Sequence, residues 1–467
     1  MQIPILNGVY TAQNADYKTS YPLNMMPVVQ DTGISAGYLR PVEGIVKTGE
    51  GPGISRGAIN WNGKHYRVMG SKLCYIDSNN NVTIIGDVGN NNKRVIMDYS
   101  FDRLAIASNG NLFYYDNLSL IQVTDSDLGN VLDVVWVDGY FMTTDGTSLV
   151  VTELSDPTSV NPLKYGSSEI DPDPINGILK LRNEIYAVNR YTIEVFDNVG
   201  GELFPFQRIN GAQVQRGSMG AFCSIVYESA IAFLGSGRNE SPAVYLSSNA
   251  STVKISTREI DEIINSFTET ELSNVVLETL NDKGHALLWI RLPDRTLSYD
   301  LVSSNLLGQP VWYQMSSGIL NYSPYRAKDV IWCYDGWQIG DTESSNLGIL
   351  NNDISSHFGN VIKWEFGTKI IYNGGKGLLI KMLELVALTG RTQGFNNPVI
   401  STSYSLDGRT WSQDRIINIG QAGNRLKRLV WWRQGHMKNT RMQRFTGDSN
   451  AYLAISRLEV DVEPLAV

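Results

Sequence analysis

Cysteine is nearly absent: the 467 residues contain Cys74, Cys223 and Cys333 and no others. Three thiols so far apart cannot form a disulfide framework and are expected to be buried and free. Histidine is as scarce. His65, His285, His357 and His436 make no HExxH or Cys-x-x-Cys-type pairing, so neither a metal site nor a cofactor is expected. No run of about 18 apolar residues occurs, so no membrane-spanning helix is expected. The start, Met1-Gln2-Ile3-Pro4-Ile5-Leu6-Asn7, lacks a basic stretch followed by an apolar one, so no secretory signal is expected either. There is no GxxxxGK[ST] phosphate loop. Positive charge is in deficit, with a formal net charge of −8. That balance does not suit a protein that wraps nucleic acid tightly. It suits solubility, or a channel wall that must not grip DNA.

What the chain has instead is alternation. Gly57–Trp61, Leu104–Ser108, Asn111–Tyr115 and Glu184–Val188 are rich in Ile, Val and Tyr and alternate between apolar and polar, as half-buried strands do. Asn62-Gly63, Asp138-Gly139 and Asp335-Gly336 suit two-residue hairpin turns, which need positive φ. The turn markers Gly63, Asp102, Gly139, Asn183, Glu228, Gly284 and Gly336 are 39, 37, 44, 45, 56 and 52 residues apart. In the first unit four strands are read: 57–61, 65–69, 72–76 and 82–86. A four-stranded unit recurring at this interval indicates a β-propeller of six or seven blades. The competing reading is an irregular array of β-sandwiches.

Three regions depart from this repeat. Residues 1–53, punctuated by Pro4, Pro22, Pro27 and Pro41, read as an irregular N-terminal arm that crosses to a neighbour or returns to its own sheet, the competing reading being a simply disordered terminus. Thr257–Phe267 places Ile260, Ile263, Ile264 and Phe267 at helical spacing after a capping Ser256 or Thr257. It is read as a helical insertion near 257–273, inside a propeller domain over 54–358. From 359 to 467 the strands lengthen (362–367, 369–372, 378–388, 400–406, 426–433 and 451–460), which predicts a C-terminal β-sandwich.

Candidate chemistry is thin. Asp171 and Asp173, interleaved with Pro172 and Pro174, are a carboxylate pair, read as an exposed acidic loop rather than a glycosidase dyad. Ser405-Leu406-Asp407-Gly408-Arg409-Thr410-Trp411 resembles an Asp-box, a structural hairpin of sialidase-type propellers. It occurs once and outside the propeller, so it supports a hairpin and adds little to the alternative of a propeller glycosidase acting on host surface polysaccharide. The most asymmetric feature is Arg425, Lys427, Arg428, Arg433, Lys438, Arg441 and Arg444, a run of seven cations with His436, Trp431 and Trp432 among them and no acid. They form a candidate contact surface for DNA or an acidic partner. In the plainer reading they are the outer face of a strand whose inward residues are Leu426, Leu429 and Trp431.

Short stretches over about 14–358 begin with Asn14-Ala15-Asp16-Tyr17, Pro22-Leu23-Asn24-Met25 and Gly37-Tyr38-Leu39-Arg40. Ser55-Arg56-Gly57, Gln215-Arg216-Gly217, Glu278-Thr279-Leu280, Gly340-Asp341 and Asp353-Ile354-Ser355-Ser356 follow. In order and at similar spacing, these stretches resemble the tail accessory factors or packaged-DNA stabilisation proteins of short-tailed lambdoid phages. The resemblance implies a non-enzymatic tail hub or nozzle subunit, a homohexamer extending the DNA channel below the portal-bound adaptor. It further implies stabilisation of packaged DNA, contacts with tailspikes or fibres and with the tail needle, and passage of duplex DNA without sequence-specific binding. The expected location is the virion tail, after synthesis in the cytoplasm of the host bacterium. The family has no catalytic residues to carry over.

Overall fold

The computed structural model of the chain describes residues 1–11, 16–30, 33–392 and 398–465. Asn14 and Ala15 of the first family-like stretch lie outside them. Among the described residues seven antiparallel sheets form blades. Their first strands are Ser55–Trp61, Ile96–Tyr99, Asp133–Val137, Ile175–Leu181, Ser224–Tyr227, Val276–Asp282 and Ala327–Cys333. Each of these strands touches the next, and the seventh touches the first, so the ring closes. This is a seven-bladed β-propeller, the upper of the two expected blade counts.

Closure uses the N-terminal segment. Gly44–Glu50 pairs antiparallel with Asn346–Asn351 as the outermost strand of the seventh blade. The last blade therefore contains chain from both ends of the propeller, and it cannot open without breaking a ladder.

Carboxylates near the axis join successive blades. Asp98 accepts the Trp136 amide at 2.6 Å, Asp133 the Ile178 amide at 2.8 Å, and Glu278 the Asp329 amide at 2.7 Å. Asp329 accepts the Ser55 hydroxyl at 2.6 Å, completing the seam between blades seven and one. Burial pushes the Asp133 carboxyl up to about 7, because an ionised oxygen there loses water and gains only amide donors.

Most turns follow the glycine reading. Asn62-Gly63 has φ of 52° and 74°, and Asp138-Gly139 of 48° and 91°. The third is displaced by one residue: Tyr334 and Asp335 occupy the turn at 52° and 56°, and Gly336 is already paired with Cys333. Gly336 is needed there for space, since a Cβ would lie 2.5 Å from Ile349 Cδ1. The expected helix spans Arg258–Ile264, capped by Thr257, and a second turn of helix follows at Glu269–Leu272. Ile260 and Ile264 are buried against the fifth and sixth blades. Cys74, Cys223 and Cys333 are buried and free.

The C-terminal region is a two-sheet sandwich. One sheet runs Met25–Val29, Gly37–Pro41, Ala454–Pro464, Leu378–Leu388, Leu429–Trp432. The other runs Lys363–Gly367, Thr440–Asp448, Val399–Ser405, Arg415–Asn418. Trp364, Phe366, Leu383, Trp431, Phe445 and Leu458 fill the space between them. Gln2–Ile3, Met25–Val29 and Gly37–Pro41 thus complete the sandwich, with Ile3, Ile5, Met25 and Leu39 in its core, and 44–50 complete the propeller. Just before Met25–Val29, Asn24, with φ of 52° and 1% exposed, ties propeller and sandwich together. Its amide group donates to the carbonyls of Ser316 and Lys363, both at 2.7 Å, and its Oδ1 accepts from the Ser316 amide at 3.0 Å. No helix among the described residues is long and apolar enough to cross a membrane.

Candidate functional site: the basic edge of the sandwich

The seven candidate cations do not form one surface. Thr440–Asp448, which the alternation did not mark as a strand, is the second strand of its sheet, and it carries two of them. Arg441 is fully buried and donates to Gln434 O at 2.7 Å and to Gln443 Oε1, with its guanidinium 3.8 Å from the Tyr404 ring centre. Desolvation pushes it down to about 10. Burial removes Arg441 from the expected contact surface; it is a core residue. Arg444 is half-buried, 4.4 Å from the Trp411 ring centre, and lines a cleft between sandwich and propeller.

The other five, Arg425, Lys427, Arg428, Arg433 and Lys438, are exposed along one edge of the sandwich. That edge is where the last strands of both sheets, Arg415–Asn418 and Leu429–Trp432, lie side by side. Arg415 adds a sixth exposed cation. Its guanidinium donates to Arg433 O at 2.7 Å, and its carbonyl accepts Trp431 Nε1–H at 2.9 Å, joining the two edges. Arg415 precedes the basic run in the chain, and only the pairing of edges reveals it as a neighbour. Arg428 forms a two-pronged pair with Glu384, with one contact of 2.7 Å. That pairing holds the Glu384 carboxyl below its usual range.

Apolar groups accompany the cations. Leu429 and Trp431 point inward as expected, but Leu426 is 96% exposed, and Trp432 and Ile416 are 63% and 64% exposed. An edge that mixes exposed apolar side chains with cations suits a protein partner better than a phosphate backbone alone. Charge is also divided along the chain. Residues 359–467 have 15 Lys and Arg against 8 Asp and Glu, net +7; residues 1–358 have 24 against 39, net −15.

The remaining candidates are structural. Asp171 pairs with Arg238 at 2.9 Å, and Asp173 accepts the Tyr191 amide at 2.6 Å, so the expected open acidic loop is instead half-buried and tied to two neighbours. The Asp407 carboxylate accepts the Arg409 and Thr410 amides at 2.9 and 2.8 Å, which holds its carboxyl well below the usual range. This closes a hairpin of the sandwich. Among the described residues no group of three or more His, Cys, Asp or Glu side chains could hold a metal ion.

Fold and surface together define a seven-bladed propeller joined to a strand-sharing sandwich, with charge polarity as its main surface feature. A family model described as Bacteriophage P22 Gp10, beta-propeller, matches residues 1–355, and one described as Bacteriophage P22 Gp10, beta-sandwich, matches residues 363–463. The chain belongs to this family. It is 30% identical over 463 residues to the tail hub protein gp10 of Salmonella phage P22, covering 94% of each chain. Among solved structures it is similar to the Neurospora crassa Pan2 WD40 domain, at 10% identity and a TM-score of 0.41, over 64% of this chain and 89% of that one. It is also similar to PorZ of Porphyromonas gingivalis, at 13% identity and a TM-score of 0.40, over 79% and 46%. Likenesses this slight say nothing of function.

Proposed function

We propose that the chain is a structural, non-enzymatic subunit of a phage tail hub and works in the virion tail. The observation that carries this reading is the collinear match to the P22 tail hub protein through both the propeller and the sandwich. In this reading the chain is made in the cytoplasm of the host bacterium. It assembles as a ring, a hexamer, below the adaptor on the portal. The ring extends the DNA channel, helps retain packaged DNA, and carries tailspikes or fibres and the needle. The charge division supports ring formation: a +7 sandwich on one copy can face the −15 remainder of the next. Such a head-to-tail contact generates a closed ring when its rotation closes. The basic edge, with Arg415, Arg425, Lys427 and Arg433, is then a docking surface for an acidic protein face in the tail.

The test is add-back of the purified chain to DNA-filled heads from a virus lacking it. A new ring by electron microscopy, with DNA better protected from nuclease, is expected. Absence of binding to heads that already carry their adaptor overturns the hub reading. The variant R425E/R433E is expected to add back poorly. Unchanged assembly and DNA retention would remove the basic edge from the account while leaving the hub.

A further inference from the structure

A broad cavity lies on the propeller axis, away from the sandwich. It has a volume of about 740 Å³ and opens where the innermost strands begin. Residues from all seven blades line it, from Ser55 and Arg56 in the first to Lys328 and Asp329 in the seventh.

Its charge is opposite to that of the domain around it. Arg56, Lys93, Arg94, Arg291 and Lys328 line it, against the single carboxylate of Asp329. Some of this charge is neutralised within the chain. Glu278, beneath the lining, lies 3.3 Å from both Arg94 and Arg291, and Asp329 lies 3.8 Å from Arg94. The rest is not. Arg56 is 6% exposed and donates to the carbonyls of Lys93, Gly70 and Gly89 and to the Asn91 side chain, at 2.7 to 2.9 Å. Those partners satisfy its hydrogen bonds, but none of them is a carboxylate. Among the described residues the ammonium groups of Lys93 and Lys328 make no hydrogen bond and no close ion pair. Burial favours loss of the Lys328 proton, and the nearby charges of Asp329 and Glu278 do not offset it. Asparagines surround these cations: Asn92, Asn109 and Asn130 line the wall, and their side-chain amides can donate.

Arg56, Lys93 and Lys328 line one bowl with amide donors around them and no hydrogen bond to a carboxylate; Arg56 and Lys328 are partly desolvated, and Lys93 is exposed at the rim. Uncompensated charge in a partly desolvated site is costly unless a counter-ion fills it. Compact ammonium point charges suit a multiply charged oxyanion better than a planar carboxylate, which pairs best with a guanidinium fork. The guanidinium groups of Arg94 and Arg291 already serve Glu278. A DNA duplex presents phosphates on a convex rod and cannot bring several of them into a concave mouth. We propose that the axial mouth of the propeller is a binding site for a compact phosphate-class oxyanion, of the size of inorganic phosphate to triphosphate, held by Lys93, Lys328 and the Arg56 charge.

The experiment is calorimetric titration of the full-length chain with tripolyphosphate, inorganic phosphate and glycerol phosphate, together with thermal melting at rising ligand concentration. Saturable 1:1 binding of tripolyphosphate is expected, with a melting temperature that rises with its concentration. Relative binding of the free anions and of the ester separates a free oxyanion from a phosphate carried on a larger molecule; either supports the site. K93Q/K328Q is expected to weaken binding roughly tenfold or more, because two charge-assisted contacts are lost. K64Q/K283Q removes two lysines at hairpin ends far from the mouth, where the innermost strands finish, and is expected to bind like the parent. K328R keeps the charge and is expected to bind within about threefold, which separates lost charge from lost folding. Absence of saturable binding, or equal weakening by both glutamine pairs, overturns the site. Tighter binding of an oligoglutamate peptide or a duplex oligonucleotide than of tripolyphosphate overturns the phosphate assignment.

Discussion

Replacing Asn24 with alanine should separate the two domains energetically. The side chain makes three hydrogen bonds, two buried ones to Ser316 and a part-buried one to Lys363. Each contributes about 1 kcal/mol net, so the truncation costs about 3 kcal/mol. Asn24 also has φ of 52°, a left-handed conformation that adds about 1 kcal/mol for alanine. A total of about 4 kcal/mol is a large part of the roughly 5–15 kcal/mol typical of a folded domain. Asn24→Gly should lose only the hydrogen-bonding part, about 3 kcal/mol. Asn24→Asp is nearly isosteric but cannot donate when ionised, and it sets a carboxylate against two carbonyl oxygens. It should be at least as damaging as alanine near neutral pH. The assay is equilibrium unfolding in urea followed by tryptophan fluorescence, with Trp364 in the sandwich and Trp312 in the sixth blade as reporters. Parent and N24A should differ in midpoint, and the variant's transition should broaden or divide. An N24D protein as stable as the parent would refute the reasoning, because the two donor bonds would then contribute nothing.

The basic run should divide by burial. R441A is expected to cost about 3 kcal/mol, because Gln434 O and the Gln443 side chain lose a charged donor, whereas R425A should stay within about 0.5 kcal/mol; thermal melts compare them. Asp133, raised to about 7 from an ordinary value near 4, keeps its proton in the fold after the unfolded chain has lost it. Its contribution to stability therefore falls as pH rises from about 4 to 7, and D133N should flatten that part of the urea-midpoint profile. His357 is pushed down by burial to about 3, so the unfolded chain takes up its proton first as pH drops. Its share of stability is present above about 6.5 and is lost progressively as pH falls toward 3; H357Q should remove that acid-side loss in the same measurement.

Much of this protein follows from local pattern. Strand alternation and turn glycines recur with blade spacing because a half-buried strand needs period two and a tight hairpin needs positive φ, both local requirements. Thr257 and the Ile260–Ile264 spacing likewise define the helix without reference to anything distant. The contact surface was less legible. Arg441 and Arg444 read as outward cations, yet Thr440–Asp448 lies within its sheet, and the Arg441 guanidinium is satisfied by Gln434, Gln443 and Tyr404. Alternation alone does not say which face of a strand is covered. Nor does it say that Arg415 lies beside Arg433, since that depends on which strands end each sheet. The destination of the N-terminal arm was decided furthest from local sequence. Met25–Val29 and Gly37–Pro41 join a sheet with Ala454–Pro464, and Gly44–Glu50 closes the seventh blade against Asn346–Asn351. Partners from the far end of the chain leave no trace in the spacing of the arm. The axial mouth arises the same way: Arg56, Lys93 and Lys328 become neighbours only when seven blades close a ring. The sequence by itself determined most propeller strands and turns and their repeat, because those depend on neighbouring residues. Tertiary structure alone decided which cations are buried, which meet at an edge, and which share a cavity, because burial and convergence are properties of packing between distant segments.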